Sequence, residues 1–480
     1  MGYRARRRLS ADTAICLHSD ATYDGAVTRA RRVAAIALCA GLAVGVAGQL
    51  NGKLDLPRAI GLHQSTGAGS GNKSTSQAAS SVPKVDEQTA RLAAVQDLLS
   101  RRAAAVKARS KSSWMATVDP SGSAFQGRQS VEFDNLVKLP LGQFSYGAAQ
   151  LAPALTATRI RQVGPKAWAA TVTGTYSLAG FDRAPQTFEA TYTLVERPVG
   201  WRIADDADGA TPLQIWDLPG LRVLPGRSSI VVGNAPEAQM ADYSTLADSA
   251  IGRVSSVWGT DWNSHVVVVT PLTDDEFARL LLRSSGKGLD QVAAITQGLI
   301  EPGRPAQGDR VFINPKAFTA LQPLGRRVVI THELTHVAAR SSTTGPVPIW
   351  LTEGMADYVG YSGLGLPRQR VAGELLGLVR AGKGPTALPT DVDFDPSRST
   401  IALSYSASWL AVCHLVDIYG QAKVVAFYRL VASATTSGGT AQLGPVNAAA
   451  SAFPHSFGVT QAQFVDGWKR YLRTLAYLQG

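Results

Sequence analysis

The pattern of apolar and polar residues changes several times along the chain, and the first change lies near the N-terminus. Residues 33–52 carry no charge and are mostly apolar, and three arginines (Arg29, Arg31 and Arg32) stand just before them. About twenty such residues span a bilayer as a helix, and basic residues before an apolar stretch keep the N-terminus in the cytoplasm. We therefore predict a basic cytoplasmic tail over residues 1–32 and a single-pass membrane anchor over residues 33–52.

Two other interpretations of residues 33–52 remain open. The stretch is also compatible with a cleaved secretory signal behind a long basic front, in which case the protein is secreted. A buried core helix is the third interpretation. The anchor and the signal both place the rest of the chain outside the cytoplasm.

Residues 53–84 lack a hydrophobic pattern and contain a segment rich in Ser, Gly, Thr and Ala. Such a composition does not bury enough apolar surface to order the backbone. We predict a flexible linker here.

Residues 85–210 begin with helical periodicity and continue with the alternation typical of strands. We expect a helix over residues 86–108 and a second one from Ser123, and then a sheet with one solvated face. Helices followed by antiparallel strands predict an α+β layer, and their order resembles the cone-shaped domain of the nuclear transport factor 2-like superfamily. That resemblance implies a cone-like α+β domain that either binds a ligand or acts as a scaffold. The predicted strands cover residues 143–151, 155–163, 167–178, 186–196 and 201–205.

Residues 226–480 follow a Pro- and Gly-containing connector and alternate short apolar strands with amphipathic helices. Four short strands precede a long run of helices, which predicts a small mixed sheet with a helical C-terminal half. The whole chain is therefore expected to be an α+β multidomain protein. The predicted strands are 229–232, 265–270, 291–300 and 309–314, and the predicted helices include 236–257, 274–282, 368–380, 404–420 and 464–478.

Composition narrows the functional classes only slightly. The 480 residues are 45% hydrophobic and 17% charged, which is ordinary for a globular protein. The formal net charge is +11, but no nucleic-acid recognition motif accompanies it, so we expect no nucleic-acid partner. Three scattered cysteines predict neither a disulfide framework nor a thiolate metal site.

The strongest chemical signal is a histidine pair around a glutamate. His332, Glu333 and His336 form an H-E-x-x-H motif. On a helix, residues four apart lie on one face one turn from each other, so both imidazoles reach the same metal ion. Glu333 lies beside them, where it can take a proton from a water molecule that the metal activates.

Two acidic residues downstream complete this pattern. Glu353 follows His336 by 17 positions, and Asp357 is four residues further on, on the same face of a predicted helix. Two imidazoles and one carboxylate leave a fourth position for water, as catalytic zinc requires. Asp357 is then placed to accept the spare N–H of a ligand histidine and so fix its ring. The same ligand set also suits iron, although the H-E-x-x-H spacing favours zinc.

These residues and the segment Trp350-Leu-Thr-Glu-Gly resemble the gluzincins, which are metallopeptidases of the thermolysin-like clan. In detail, residues 226–480 resemble the peptidase MA-like proteins of actinobacteria. The resemblance implies that His332, His336 and Glu353 bind zinc and that Glu333 is the general base and acid. It also implies that Asp357 orients a ligand histidine.

The resemblance further implies a residue for the oxyanion and a strand for the substrate. Tyr405 is the candidate for stabilising the tetrahedral oxyanion, with a packed core tyrosine as the alternative. Residues 310–314 are the candidate edge strand for an extended peptide, with a central strand as the alternative. The chain has no Gly-x-Met-Glu-Asn motif of the aminopeptidase branch, which disfavours exopeptidase action of that type.

The sequence therefore predicts a zinc-dependent hydrolase of peptide or protein substrates that acts outside the cytoplasm. The membrane is its second expected partner, through residues 33–52. A non-catalytic, membrane-tethered binding or scaffolding protein with a structural metal is the alternative. A third interpretation treats the linker and residues 85–210 as a pro-segment.

Overall fold

The computed structural model describes residues 84–478, apart from residue 210 and the segments 284–288, 290–291, 302, 396–397 and 436–443. The predicted tail, the apolar stretch at 33–52 and nearly all of the linker lie outside the described residues. Their predictions are neither confirmed nor contradicted by the fold.

The first part of the described chain is an α+β unit in which three helices precede all five strands and a fourth helix lies among them. Its helices are α1 (Lys84–Lys107), α2 (Lys111–Met115), α3 (Ser123–Leu136) and α4 (Ala157–Val163). Its strands are β1 (Leu141–Tyr146), β2 (Gln150–Leu151), β3 (Trp168–Leu178), β4 (Gln186–Arg197) and β5 (Gly200–Asp205).

These strands form one antiparallel sheet in the order β1-β3-β4-β5, with the short β2 also paired to β3. Helix α1 contributes Leu98 and Leu99 to the core between helices and sheet, and the strands contribute Trp168 and Leu194. The side chains of β3 alternate because successive residues of a strand point to opposite faces. The predicted order of helices followed by an antiparallel sheet is present.

One predicted strand of this unit is wrong. Residues 155–163 were expected to be extended, but most of them form helix α4. The side chain of Thr156 caps this helix by accepting a hydrogen bond from the backbone N–H of Arg159 at 3.2 Å. A capping threonine satisfies a helix N–H that has no partner within the helix. This local bond favours a helix where the apolar pattern alone is compatible with either a strand or a helix.

The second part of the described chain contains a mixed sheet and most of the helices. Its strands are β6 (Arg222–Pro225), β7 (Ser229–Gly233), β8 (Val266–Thr270), β9 (Ala294–Gln297) and β10 (Arg310–Ile313). The helices that alternate with the sheet are α5 (Glu237–Trp258), α6 (Asp274–Leu280) and α7 (Pro315–Thr319). The helices after the sheet are α8 (Pro323–Ser342), α9 (Ile349–Tyr361), α10 (Arg368–Val371), α11 (Gly373–Arg380), α12 (Ile401–Tyr419), α13 (Gln421–Ala434), α14 (Pro445–Phe457) and α15 (Gln461–Tyr477).

The mixed sheet has the strand order β6-β7-β8-β10-β9. Strand β10 is parallel to β8 on one side and antiparallel to β9 on the other, so it lies inside the sheet. The candidate edge strand at residues 310–314 is therefore wrong, and the alternative of a central strand is confirmed. Among the described strands, β9 is the terminal one on this side.

Two further boundaries differ from the prediction. The helix expected over 368–380 is divided into α10 and α11, which meet at Ala372. The expected connector before residue 229 contains β6, which pairs antiparallel with β7. Short, partly exposed strands of this kind lack the apolar run that marks a buried strand.

Helix α12 is long and apolar enough to cross a membrane by length and composition, and it is alone in this among the described residues. In the structure 67% of its most apolar window is buried within the protein, where it packs against α9 and α13. It therefore has the character of a core helix.

The two parts share a continuous apolar core. Tyr176 and Phe188 of the antiparallel sheet pack edge-on against Trp216, with ring centroids 4.9 and 5.2 Å apart. Asn135 of α3 donates hydrogen bonds to the backbone carbonyls of Trp216 and Leu218, each at 2.9 Å. The segment between the two sheets thus packs against the first unit.

Candidate metal centre

Helix α8 carries the H-E-x-x-H motif into the centre of the second part. Pro323 occupies its first turn, where a missing N–H costs nothing, and its apolar residues pack into the main core. Because His332 and His336 are one turn apart, their rings lie together, with centroids 4.7 Å apart. Both histidines and Glu333 are only 1% exposed.

Helix α9 carries the two acidic residues to the same place. Glu353 is fully buried, and a side chain at the next residue, Gly354, would lie 2.5 Å from the backbone oxygen of Ser408 in α12. A Cβ at Gly360 would likewise lie 3.2 Å from the carbonyl oxygen of Val328 in α8. These two glycines allow α9 to pack closely between α8 and α12, which brings Glu353 within reach of the histidines.

The three predicted metal ligands converge in the structure. Nε2 of His332 lies 2.9 Å from Nε2 of His336 and 3.2 Å from Oε2 of Glu353. The distance from Nε2 of His336 to the same oxygen is 3.7 Å. Tetrahedral zinc with bonds of about 2.0–2.2 Å separates its ligand atoms by roughly 3.3 Å, and the three observed distances bracket this value.

Asp357 contacts the outer nitrogen of the first histidine. Its Oδ1 lies 2.8 Å from Nδ1 of His332, so a proton on Nδ1 leaves the Nε2 lone pair directed toward Glu353 and His336. Burial by itself lowers the pKa of His332, but the hydrogen bonds and charges of Asp357 and Glu353 outweigh it and raise this pKa well above its usual value. The surroundings of His332 thus stabilise positive charge, as a bound dication requires.

The residues present fit a zinc ion. Two imidazole nitrogens and one carboxylate oxygen are ligand atoms that zinc accepts, and Asp357 accepts the hydrogen bond that a ligand histidine commonly donates from its other ring nitrogen. In the part of the chain that the structure describes, His332, His336 and Glu353 are the one group of three such residues whose donor atoms lie within 4.8 Å of one another. This buried group could bind a zinc ion.

Glu333 has a partner that sequence reasoning missed. The hydroxyl of Thr296, on strand β9, donates to Oε2 of Glu333 at 2.7 Å and also contacts the backbone oxygen of Glu333 at 3.1 Å. Thr296 and Glu333 are 37 positions apart and Thr296 is fully buried, so no local spacing relates the two. In the sequence, this contact was indicated only by the presence of a threonine in a predicted strand ahead of the motif helix.

Tyr405 lies on α12, which packs against α9, the helix that carries Glu353. Tyr405 lies in the second turn of α12, is 8% exposed, and packs edge-on against Phe394 with centroids 5.4 Å apart. Its catalytic role stays a prediction.

A further histidine and a cluster of acidic residues are not part of the ligand group. His414 stacks on Tyr471, with centroids 4.6 Å apart, and burial lowers its pKa. The acidic residues at the end of the first unit form ion pairs, in which Arg159 binds both Asp205 and Asp208. They belong to no group of metal-ligating residues found in the described chain.

No family model matches the chain, and no curated protein matches its sequence.

Solved structures give several matches, all at low identity. A two-domain M1 zinc metallopeptidase mutant bound to L-arginine is 14% identical with a TM-score of 0.30, and the match covers 63% of this chain and 61% of that one. Yeast LTA4 hydrolase is 17% identical with a TM-score of 0.29, over 54% of this chain and 39% of that chain. A mutant M1 zinc metallopeptidase from Deinococcus radiodurans bound to a Tyr-Ser-Ala substrate is 12% identical with a TM-score of 0.32, over 68% of this chain and 60% of that one.

The chain thus spans at most 61% of the length of these three structures. Because each TM-score is below 0.5, these likenesses carry no argument about the function of this chain.

Proposed function

We propose that the protein is a zinc-dependent peptidase that hydrolyses peptide bonds outside the cytoplasm. One observation carries this proposal: the donor atoms of His332, His336 and Glu353 converge, and Glu333 lies beside them on the same helix. A purely structural zinc site is closed by four protein ligands, whereas three ligands leave a position for water. With water in that position, the carboxylate of Glu333 can act as the general base.

In this proposal each residue has one task. Zinc, when bound, polarises a carbonyl group and lowers the pKa of water. His332, His336 and Glu353 hold the ion, and Asp357 keeps the ring of His332 in its binding orientation. Glu333 accepts the proton of the attacking water and then delivers it to the leaving amine nitrogen.

A peptide substrate fits the terminal strand of the mixed sheet. Among the described strands, β9 pairs with β10 alone and is the last strand in the sheet order, and its Thr296 contacts Glu333. An extended peptide can add to such a strand through backbone hydrogen bonds, which would bring its carbonyl groups past the catalytic carboxylate. The residues of β9 are at most 8% exposed, so we expect the surrounding chain to move when a peptide binds.

Tyr405 completes the proposed site as the donor to the tetrahedral oxyanion. It lies on α12, which packs against the helix that carries Glu353. Tyr405→Phe should lower kcat by about 100-fold and leave bound zinc unchanged, because one oxyanion donor typically contributes a factor of that order. An unchanged kcat would make Tyr405 a packing residue.

The proposed location follows from residues 33–52 and the arginines before them. In intact cells, an externally added protease should digest residues 85–480, while a tag on residues 1–32 stays protected. N-terminal sequencing of the mature protein then separates an anchor from a cleaved signal. A fully protected chain would contradict the extracytoplasmic location.

The test of the enzymatic proposal is hydrolysis of a peptide library by the zinc-loaded protein. We expect cleavage that a chelator abolishes and that added zinc restores. Glu333→Gln should retain zinc and lose hydrolysis, whereas Glu374→Gln, at an exposed position of α11, should behave like the unmodified chain.

Two outcomes would contradict this proposal. Full activity in Glu333→Gln would exclude the proposed role of Glu333. A zinc-loaded protein that cleaves no peptide would favour the non-catalytic scaffolding alternative, in which the metal only stabilises the fold.

A further inference from the structure

The turn that joins β3 to β4, residues 179–185, reaches from the first unit into the second. Its Asp182 carboxylate accepts two hydrogen bonds from the guanidinium group of Arg310 on β10, at 2.6 and 2.7 Å. The Asp182 side chain is fully buried and that of Arg310 is 6% exposed. A paired, bidentate ion pair of this kind fixes both distance and orientation.

Further contacts hold the same turn against the second unit. The backbone N–H of Arg183 donates to the carbonyl of Gln307 at 2.9 Å, and the amide of Asn263 donates to the carbonyl of Phe181 at 2.6 Å. Gly308 packs directly against the side chain of Gln186, with no room for a Cβ between them. Side-chain and backbone contacts together therefore hold the turn against the second unit.

From Arg310 the contacts continue to the catalytic carboxylate. Arg310 lies opposite Gln297 of β9, and the next residue, Val311, lies opposite Thr296, whose hydroxyl donates to Glu333. Among the described strands, β10 is the one that pairs with β9, and α8 packs against β9 as well, so both elements support its position.

A second set of contacts joins the same segment to the motif helix. Arg340 of α8 binds the carboxylate of Asp309 at 2.9 and 3.0 Å. It also donates to the carbonyl of Gly298, at the end of β9, at 3.2 Å. The residues just before and at the start of β10 are thus held by the first unit on one side and by α8 on the other.

We infer that Asp182 is a positioning residue of the proposed peptidase, through which the first unit holds β10 and β9 in register with Glu333. This inference rests on the proposed function for its effect on catalysis. The first unit would then support the active site, because β9, the proposed peptide-binding strand, is correctly placed only while the β3–β4 turn is bound to β10.

The test uses the full-length chain with Asp182→Asn, which keeps the shape of the side chain and removes its charge. We expect hydrogen exchange in peptides that cover Ala294–Gln297 to accelerate by at least about tenfold, because the strand loses its support. The value of kcat/KM should fall by about 10- to 100-fold at unchanged zinc content, as expected when catalytic groups are displaced by up to about 1 Å. The loss should appear in KM through β9 and in kcat through Glu333.

The matched control is Asp119→Asn. Asp119 also accepts two hydrogen bonds from one arginine, Arg197, at 3.0 and 2.6 Å, and its side chain is 5% exposed, but both residues belong to the first unit. This variant should destabilise the first unit while exchange in β9 and the kinetic constants stay within twofold of those of the unmodified chain. A purely structural role of Asp182 predicts the same result for both variants.

A milder variant covers the case in which Asp182→Asn does not fold. Asn263→Ala removes the hydrogen bond to Phe181 in the same turn, together with the bond at 3.4 Å that its side chain accepts from the N–H of His265, and should accelerate exchange in β9 by a smaller factor. Unchanged exchange in β9 for whichever variant folds would overturn the inference.

Failure of the inference is distinguishable from failure of the proposed function. If the unmodified chain cleaves no peptide, the peptidase proposal fails, but exchange in β9 still reports whether Asp182 supports the strand. If the unmodified chain is active and Asp182→Asn is equally active, the peptidase proposal stands and the positioning role is excluded.

Discussion

The hydroxyl of Thr296 donates a hydrogen bond of 2.7 Å to Oε2 of Glu333, which joins the terminal strand of the mixed sheet to the carboxylate of the H-E-x-x-H motif. Both side chains are buried, at 0% and 1% exposure. In the proposed reaction, this bond fixes the rotamer of the carboxylate that moves the proton. It also makes the position of Glu333 sensitive to the position of β9.

Replacing Thr296 by Val tests this relationship. Valine keeps the branched shape and removes the donor, and a hydrogen bond to a charged group contributes about 1.5–3 kcal/mol. Since about 1.4 kcal/mol corresponds to a factor of ten in rate, kcat for peptide hydrolysis should fall by at least about tenfold. Bound zinc should be unchanged.

Thr296→Ser is the matched control for that measurement. Serine keeps the hydroxyl and loses only the methyl group, so most of kcat should remain. Equal losses in the valine and serine variants would mean that packing, and not the hydrogen bond, is what Glu333 requires.

Asp357→Asn should weaken metal binding. The asparagine oxygen can still accept from Nδ1 of His332, but the negative charge that stabilises the positive site is lost. Changes in the groups that hold a ligand histidine typically cost about 10- to 100-fold in metal affinity, and a competition titration with a zinc chelator would measure this. Asp466→Asn, at a position where the side chain is 63% exposed, should leave the affinity unchanged; an equal loss there would point to a nonspecific charge effect.

Local spacing accounts for the parts of the site that could be predicted from the sequence. His332 with His336, and Glu353 with Asp357, are pairs four residues apart, and the helical period alone places each pair on one face. The two pairs come together when α8 and α9 pack against each other. Gly354 and Gly360 permit the close packing of α9 between its neighbours.

Nonlocal pairing accounts for what the sequence did not reveal. Strand β10 precedes the motif helix, but only its pairing with both β8 and β9 shows that it is central. Likewise, the Asp182–Arg310 pair joins residues 128 positions apart, and no periodicity or spacing connects them. Helix α4 was missed for the opposite reason, since the local cap at Thr156 outweighs a weak strand pattern.

Gly354→Ala should destabilise the fold around the metal centre. The new Cβ would lie 2.5 Å from the backbone oxygen of Ser408 and 2.9 Å from Cγ2 of Val412, so α9 and α12 must separate. Overpacking of this kind costs about 1–3 kcal/mol, and denaturant unfolding with the linear extrapolation would measure it.

Gly252→Ala is the control for the glycine substitution. Gly252 lies within α5, and a Cβ there meets no atom within 4 Å. Alanine is favoured over glycine in a helix interior by about 1 kcal/mol, so this variant should be slightly more stable than the unmodified chain. A stabilising Gly354→Ala would mean that the helices adjust to the methyl group at no cost.

Zinc itself should raise the stability of the chain, because the three donors converge only in the folded state. A ligand that binds the native state alone adds about 2.7 kcal/mol when its free concentration is 100 times its Kd. For a unit of about 250 residues, this corresponds to a rise in Tm of about 5–10 °C, which a chelator should reverse in differential scanning calorimetry.

His336→Ala removes one of the three donors and should abolish most of the zinc-dependent rise in Tm. His455→Ala, which removes an exposed histidine of α14, should keep it. Glu333→Gln should also keep the rise, since Glu333 acts on water and does not hold the ion. If zinc raised the Tm of His336→Ala as much as that of the unmodified chain, the ion would be bound elsewhere, and the assignment of His332, His336 and Glu353 as its ligands would be wrong.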